Sequence, residues 1–172
     1  ASDYFGYSVA VSGDGSTVVI GAPYDDDKGI DSGSAYIFTK QANGSYLQAQ
    51  KLVASDGFNE DEFGISVAVS GDGSTVVIGA HEDDDRSPQS GSAYIFTKQP
   101  NGSYVQSQKL AALDGKSGDQ LGKSVAVSGD GLIVVVGCPG NDDKGGNAGS
   151  AYIFTRQTNG SYLETQKLVA SD

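Results

Sequence analysis

A phrase that opens at Gly6 returns at Gly64 and again at Gly122, so the chain repeats itself every 58 residues. Residues 6–53 and 64–111 differ at 11 of 48 positions, and 122–169 aligns with both without a gap. A unit that returns this faithfully must fold the same way each time and bury its apolar surface against its neighbours. The closing Ala170-Ser171-Asp172 repeats Ala54-Ser55-Asp56, and the chain opens on Ala1 rather than methionine, so a longer array is expected to surround these residues.

Each unit holds four apolar segments separated by turn signals. In the first, Ser8–Ser12 leads through Gly13-Asp14-Gly15-Ser16 into the β-branched Thr17–Gly21, which reads as a tight hairpin. An acidic loop over 23–33 precedes Ser34–Thr39, and Asn43-Gly44, a pair suited to a type I′ turn, returns the chain into Tyr46–Val53. No segment carries apolar residues at helical spacing over ten positions. Twenty-five glycines with neither methionine nor tryptophan agree with a chain of strands and turns.

The second and third strands are apolar at successive positions, so sheets must cover both their faces. The fourth alternates, with Gln48 and Gln50 on one face and Leu47, Ala49 and Val53 on the other, as an outer strand facing water would. That gradient belongs to an all-β architecture of tandem four-stranded antiparallel blades, the β-propeller type, divided as 1–53, 54–111, and 112–172 with the start of a further linker. Three blades fall short of the four to eight that close a ring. The outer faces of the first and last blades therefore need cover from further blades, a second copy or the next subunit of a filament. An open stack of sheets and a three-fold β-prism would use the same units.

Phe5-Gly6 followed by Gly21-Ala22-Pro23 resembles the FG-GAP repeat, which builds the propeller of integrin α subunits. The later copies are looser: Phe63-Gly64 with Gly79-Ala80-His81, and Leu121-Gly122 with Gly137-Cys138-Pro139. The aspartate runs ahead of Ser-Gly-Ser-Ala-Tyr-Ile-Phe look like the subtype found in extracellular proteins of microbes and algae. The resemblance implies an extracellular or cell-surface propeller used for adhesion or scaffolding. Integrin blades that bind calcium carry an Asp-x-Asp-x-Asp-Gly loop between the first two strands; here that loop offers one carboxylate, Asp14, Asp72 or Asp130, too few for calcium.

A different acidic loop recurs after each second strand: Asp25-Asp26-Asp27, then Glu82-Asp83-Asp84-Asp85, then Asn141-Asp142-Asp143. Crowded carboxylates need a cation or hydrogen bonds, and calcium is the guest that hard oxygen donors suit. The alternative is a solvated loop, as for Glu60-Asp61-Glu62 in the second linker. Asn43, Asn101 and Asn159 each head an Asn-Gly-Ser sequon at a hairpin tip and are the glycosylation candidates, although turn chemistry alone also selects Asn-Gly.

The remaining motifs argue against catalysis. Residues 118–124 echo a phosphate loop but lack the first glycine, since Ser117 stands there, and a strand follows instead of a helix. His81, the single histidine, reads as a surface loop residue, and Cys138 as a small buried one that forms no internal disulfide and leaves the redox compartment open. Tyr36, Tyr94 and Tyr152 lie in strands covered on both faces and belong to the core, leaving Tyr46, Tyr104 and Tyr162 as the ones that could stack on a sugar.

With 22 acidic against 11 basic residues, the net charge of −11 opposes nucleic acid and anionic membranes, and no apolar run approaches the ~20 residues of a membrane span. The expected function is a non-catalytic extracellular structural or adhesive module, a filament or surface-scaffold subunit, whose partners are proteins, glycans or other copies of itself. The alternatives are a calcium-dependent carbohydrate- or protein-binding propeller and an accessory domain of an enzyme encoded elsewhere.

Overall fold

A computed structural model describes residues 2–171. Among them, strands β1 (Val9–Val11), β2 (Thr17–Ala22), β3 (Ser34–Lys40) and β4 (Tyr46–Leu52) form the first antiparallel sheet in simple meander order. The second contains β5 (Ser66–Val69), β6 (Thr75–Ala80), β7 (Ser92–Lys98) and β8 (Tyr104–Leu110). The third contains β9 (Ser124–Val127), β10 (Ile133–Cys138), β11 (Ser150–Arg156) and β12 (Tyr162–Leu168). The short first strands β1, β5 and β9 lie side by side, and the sheets fan outward from them as blades. No helix in the described residues is long and apolar enough to cross a membrane.

The core sits between blades. The front of blade 1 presents Val19, Ile37 and Leu52 to the back of blade 2, where Val76, Ile78, Tyr94 and Phe96 receive them. The front of blade 2 repeats the arrangement with Val77, Ile95 and Leu110 against Val134, Val136, Tyr152 and Phe154 of blade 3. In the FG phrase the aromatic ring packs edge-on against its own blade, Phe63 on Tyr94 and Phe96, and Phe5 on Tyr36 and Phe38.

Only the middle blade has both faces covered: every residue of β6 is buried, whereas β2 and β10 alternate. The bare faces are apolar, with Phe5 53% and Val9 68% exposed where their counterparts Phe63 and Val67 are 0% and 9%.

Two local expectations are overturned. Each third–fourth strand pair carries a bulge, so Ile37 pairs with Gln50 and Phe38 with Gln48 while Ala49 is skipped. The extra residue resets the alternation and places Gln48 and Gln50 on opposite faces. The Asn-Gly hairpins are not type I′, because that turn needs a positive φ at both central residues and only Gly44 (φ 85°) has one. Gly44 N–H bonds Gln41 C=O and Gln41 N–H bonds Ser45 C=O, a three-residue loop ending in a left-handed glycine. The 13–16 turn is one residue longer: Gly15 N–H bonds Ser12 C=O, Ser12 N–H bonds Thr17 C=O, and Gly15 is again left-handed.

This connectivity gives the blades two unlike ends. The turns 13–16 and 41–45 and their repeats form a hairpin end, stapled within each blade by the Tyr46, Tyr104 and Tyr162 hydroxyls donating to Gly15, Gly73 and Gly131 C=O. The acidic loops and inter-blade linkers gather at the other, the loop end.

Candidate functional site

At the loop end the acidic loops meet a partner that the sequence reading passed over. Lys51 of β4 extends its Nζ to within 2.8 Å of Asp25 Oδ2 and also bonds Asp27, over the Tyr36 ring whose hydroxyl donates to Asp25. In blade 2 Lys109 takes Asp83 at 2.7 Å, Asp85, and Asp56 from the preceding linker, over Tyr94. Blade 3 has Asn141 where the others have aspartate, and Lys167 takes Asp114 of the preceding linker and Asp143 over Tyr152. Burial opposes ionisation of Asp25, but Lys51, the Asp27 N–H and the Tyr36 hydroxyl together outweigh it and hold the carboxyl below its usual range. Burial likewise works against each lysine's charge, and the carboxylates more than offset it, raising all three ammonium groups.

The middle aspartates do something else. Asp26, Asp84 and Asp142 turn back to accept the backbone N–H of Asp31, Gln89 and Asn147, closing their own loops. The eight candidate ligands are therefore divided between an ammonium and the backbone. Among the described residues, no group of three or more histidine, cysteine or acidic side chains converges as a metal site. As arranged, this donor set does not fit calcium: the cation that crowded carboxylates require is a lysine. The β1–β2 loop is likewise committed, since Asp14 accepts Ser12 Oγ–H and Ser16 N–H, which pull its pKa down to about 2.

The sequon asparagines lie exposed at the hairpin end, where Asn43, Asn101 and Asn159 each accept both N–H and Oγ–H of the serine two residues on. Their local role is the turn, and their amides face water. Tyr104 and Tyr162 are buried by the neighbouring blade, so of the second tyrosine set Tyr46 alone, at 39% exposure, offers a surface.

Two further expectations are corrected at the loop end. Asp61, read as part of a solvated acidic patch, is buried and accepts Phe58 N–H at 2.7 Å; burial, despite that bond, raises its pKa to about 6. His81, read as a surface residue, is 2% exposed because the linker entering blade 3 folds over it. Its Nε2 lies 2.9 Å from Glu82 Oε1 and 2.6 Å from Lys123 Nζ, and Gln120 donates to the same Glu82 oxygen. Its Nδ1 faces Glu62 Oε2 at 3.7 Å without a hydrogen-bond partner. Burial and the Lys123 charge push the imidazole down to about 4, so it is neutral at pH 7, and burial with the Glu82 charge pushes Glu62 up.

Two independent features concentrate on this same end. Seven of the 11 differences between the first two copies, at positions 7, 23, 24 and 28–31, lie in its loops, and they include the changes that create His81 and Glu82. Among the described residues, all seven non-glycine residues with positive φ also lie there: Tyr4, Asp31, Glu60, Glu62, Gln89, Gln120 and Asn147. At the hairpin end every such position is a glycine, Gly15 and Gly44 and their repeats. Non-glycine residues held left-handed store strain of order 1–3 kcal/mol each, a feature that gathers at ligand-contacting sites.

The FG-GAP repeat family matches residues 1–38, 46–96 and 104–154, most of the chain. The chain belongs to this family. Each later FG-GAP match starts on the last strand of one blade and ends on the third strand of the next, so the family unit straddles the junction through the loop-end linker. Among curated proteins none matches the chain. Its fold is similar to that of solved β-propeller structures. A Lactobacillus plantarum protein superposes with TM-score 0.59 at 15% identity over 94% of this chain and 40% of its own. Saccharomyces cerevisiae Sqt1 gives 0.58 at 11% identity over 98% and 36%. A periplasmic gluconolactonase of Pseudomonas aeruginosa gives 0.52 at 14% identity over 96% and 57%. The chain thus spans well under two thirds of each of these structures.

Proposed function

We propose that this FG-GAP chain is a non-catalytic extracellular interaction module whose binding surface is the loop end of the blades. The observation that carries the reading is that strained non-glycine backbone and most of the positions at which the first two, otherwise near-identical, blades differ lie at the same end. A purely structural array would have no reason to vary one end while keeping the hairpin end almost unchanged. The FG-GAP family is typically extracellular, and three exposed sequons suit a secreted chain. The side chains on offer are Tyr7 and Tyr24 from blade 1, Glu62 and Glu82 from blade 2, and Lys123 from blade 3, a mixed-charge, aromatic-flanked patch suited to a polar protein or glycan surface. Repetition of loops across blades favours several weak contacts acting together over one deep pocket.

The test is an array of immobilised glycans and matrix proteins probed with the 172-residue chain. Binding to at least one class is expected, reduced tenfold or more by Tyr24→Ala with Glu82→Ala and retained by the triple Asn→Gln change at 43, 101 and 159. Binding abolished by the hairpin-end changes and untouched by the loop-end ones would overturn the assignment.

A further inference from the structure

The groove between the outer strands of blades 2 and 3 is built unlike its counterpart at the first junction. It holds about 580 Å³, inside the range of about 300–1,000 Å³ typical of ligand pockets. Buried Leu110 and Phe154 line it beneath Leu113 and Leu163, which are 74% and 55% exposed. Two hydrogen-bonded bridges span it. Gln108 of β8 clasps Tyr162 of β12, its Nε2–H donating to Tyr162 C=O at 2.7 Å while its Oε1 accepts Tyr162 N–H at 2.7 Å, as Gln50 clasps Tyr104 at the first junction. Nearer the loop end, Leu113 N–H donates to Glu164 Oε2 at 2.9 Å.

Substitutions between the copies shape this groove. Arg86, Ala111, Leu113, Leu163 and Glu164 line it where the first junction has Lys28, Val53, Ser55, Val105 and Gln106. Both other copies carry valine at the place of Ala111, as Val53 and Val169, and the loss of two methyl groups widens the groove. At the first junction Gln106 accepts Ser55 N–H and donates back to Ser55 Oγ, a reciprocal pair that a carboxylate beside a leucine does not form. Both walls of the groove belong to a junction inside the chain, so its shape owes nothing to the uncovered faces of blades 1 and 3.

The polar groups left over name the guest. Ser92 Oγ–H donates to Asp83, Asp85 and Lys109 hold one another, Gln108 is spent on the clasp, and Tyr162 Oη–H donates to Gly131 C=O. Arg86 and Glu164 are the remaining charges. Among the described residues Arg86 has no carboxylate partner; it donates from Nη1 to Ala112 C=O at 2.8 Å, and the rest of its fork is uncommitted. Glu164 Oε1 likewise receives no donor among them. A guanidinium fork suits a carboxylate, a carboxylate suits an N–H, and the apolar floor suits an aliphatic side chain. The last residue of a peptide offers all three. A plain fatty carboxylate would leave Glu164 unanswered and set its charge against the ligand's. We propose that this groove binds the free C-terminus of a peptide that ends in a leucine-sized side chain, with the carboxylate on Arg86, the last amide N–H on Glu164 and the side chain over Leu110 and Phe154. The site stands apart from the loop-end surface proposed above and does not rest on it.

The experiment is isothermal titration calorimetry of the 172-residue chain with acetyl-Ala-Leu bearing a free carboxylate, with its C-terminal amide and with octanoate. The free acid is expected to bind with a dissociation constant below about 1 mM, and the amide and octanoate about tenfold or more weaker. Ala111→Val, which installs the residue of the other two copies and narrows the groove, is expected to weaken the free acid by about tenfold or more while strand content in circular dichroism is kept. Arg86→Gln, which removes the charge on the fork, is expected to do the same. The loop-end pair Tyr24→Ala with Glu82→Ala is expected to leave this binding unchanged, and a loss confined to that pair would place the peptide at the loop end and overturn the proposal. No binding at about 5 mM free acid, an amide or octanoate that binds as tightly, or a dissociation constant indifferent to either groove variant would each overturn it as well.

Discussion

Replacing Lys109 by methionine tests what holds the acidic loops. The change keeps the length of the side chain and removes the ammonium shared by Asp83, Asp85 and Asp56. Asp83 is the decisive partner because it is 2% exposed. Removing one member of a buried ion pair leaves the other charged and uncompensated, at a cost of about 3–5 kcal/mol. Asp83 keeps three donors, Tyr94 Oη–H at 2.8 Å, Ser92 Oγ–H at 3.1 Å and Asp85 N–H at 3.2 Å, and Lys109 itself is partly solvated. Both lower the figure, so the expected loss is about 2–4 kcal/mol, or about 5–15 °C in Tm for a chain of this size. Asp83→Asn alone is expected to cost under about 1 kcal/mol, because blade 3 already carries Asn141 at that place and the buried charge disappears with its partner's attraction. The double variant should regain about 1–2 kcal/mol over Lys109→Met, the signature of coupling between the two groups. Urea unfolding followed by tyrosine emission and circular dichroism reads all four proteins. A Lys109→Met loss below about 0.5 kcal/mol would refute the reasoning, since it would place the pair with ordinary surface ion pairs.

Other outcomes follow from the same geometry. Chelator is expected to leave Tm unchanged, and a fall on adding EDTA would return the aspartate loops to calcium. Gly79→Ala should cost several kcal/mol, because its Cβ would lie 1.9 Å from Gly122 C=O across the blade junction, whereas Gly102→Ala meets open space and should cost only about 1 kcal/mol for its φ of +86°; paired urea midpoints check the contrast. The Asp61 carboxyl, raised from 3.8 to about 6, stays protonated when folded while the unfolded chain ionises, so stability falls as pH rises from about 4 to 6; unfolding midpoints across that window should show this decline flattened in Asp61→Asn. Below it the sign reverses: Asp14 and Asp143, held down at about 2, lose their stabilisation between about pH 4 and 2. Cys138, buried with its thiol donating to Asp119 C=O and pushed up to about 12, should resist iodoacetamide at pH 8 until the chain unfolds.

Blade count, strand order and the location of the core were legible because each follows from local periodicity repeated three times. Continuous apolar runs named the covered faces of β6 and β7, and glycine-rich turns marked the hairpins. What escaped depends on contacts between segments far apart in the chain. Lys51 has its partners 24 and 26 residues away, on a loop it reaches only after the bulge at Ala49 has reset the strand. The recurrence of Lys51, Lys109 and Lys167 alongside the aspartates was the signal available for it. His81 looked exposed because it stands where another copy has Pro23, and its burial comes from Gln120 and Lys123, some 40 residues on. The type I′ expectation failed because Asn-Gly also suits a longer loop in which only the glycine is left-handed, and the asparagine amide is spent on the serine that follows.

The junction clasp also bears on how genes for such chains change. Gln50 and Gln108 grip the main chain of Tyr104 and Tyr162 rather than their rings, at a constant separation of 54 residues. An unequal crossover that inserts or deletes one 58-residue unit therefore supplies both halves of every new junction, and side-chain drift at the gripped position leaves the contact intact. Blade number can change in a single recombination step without redesign of any interface, while the loop end of each added blade is free to diverge afterwards.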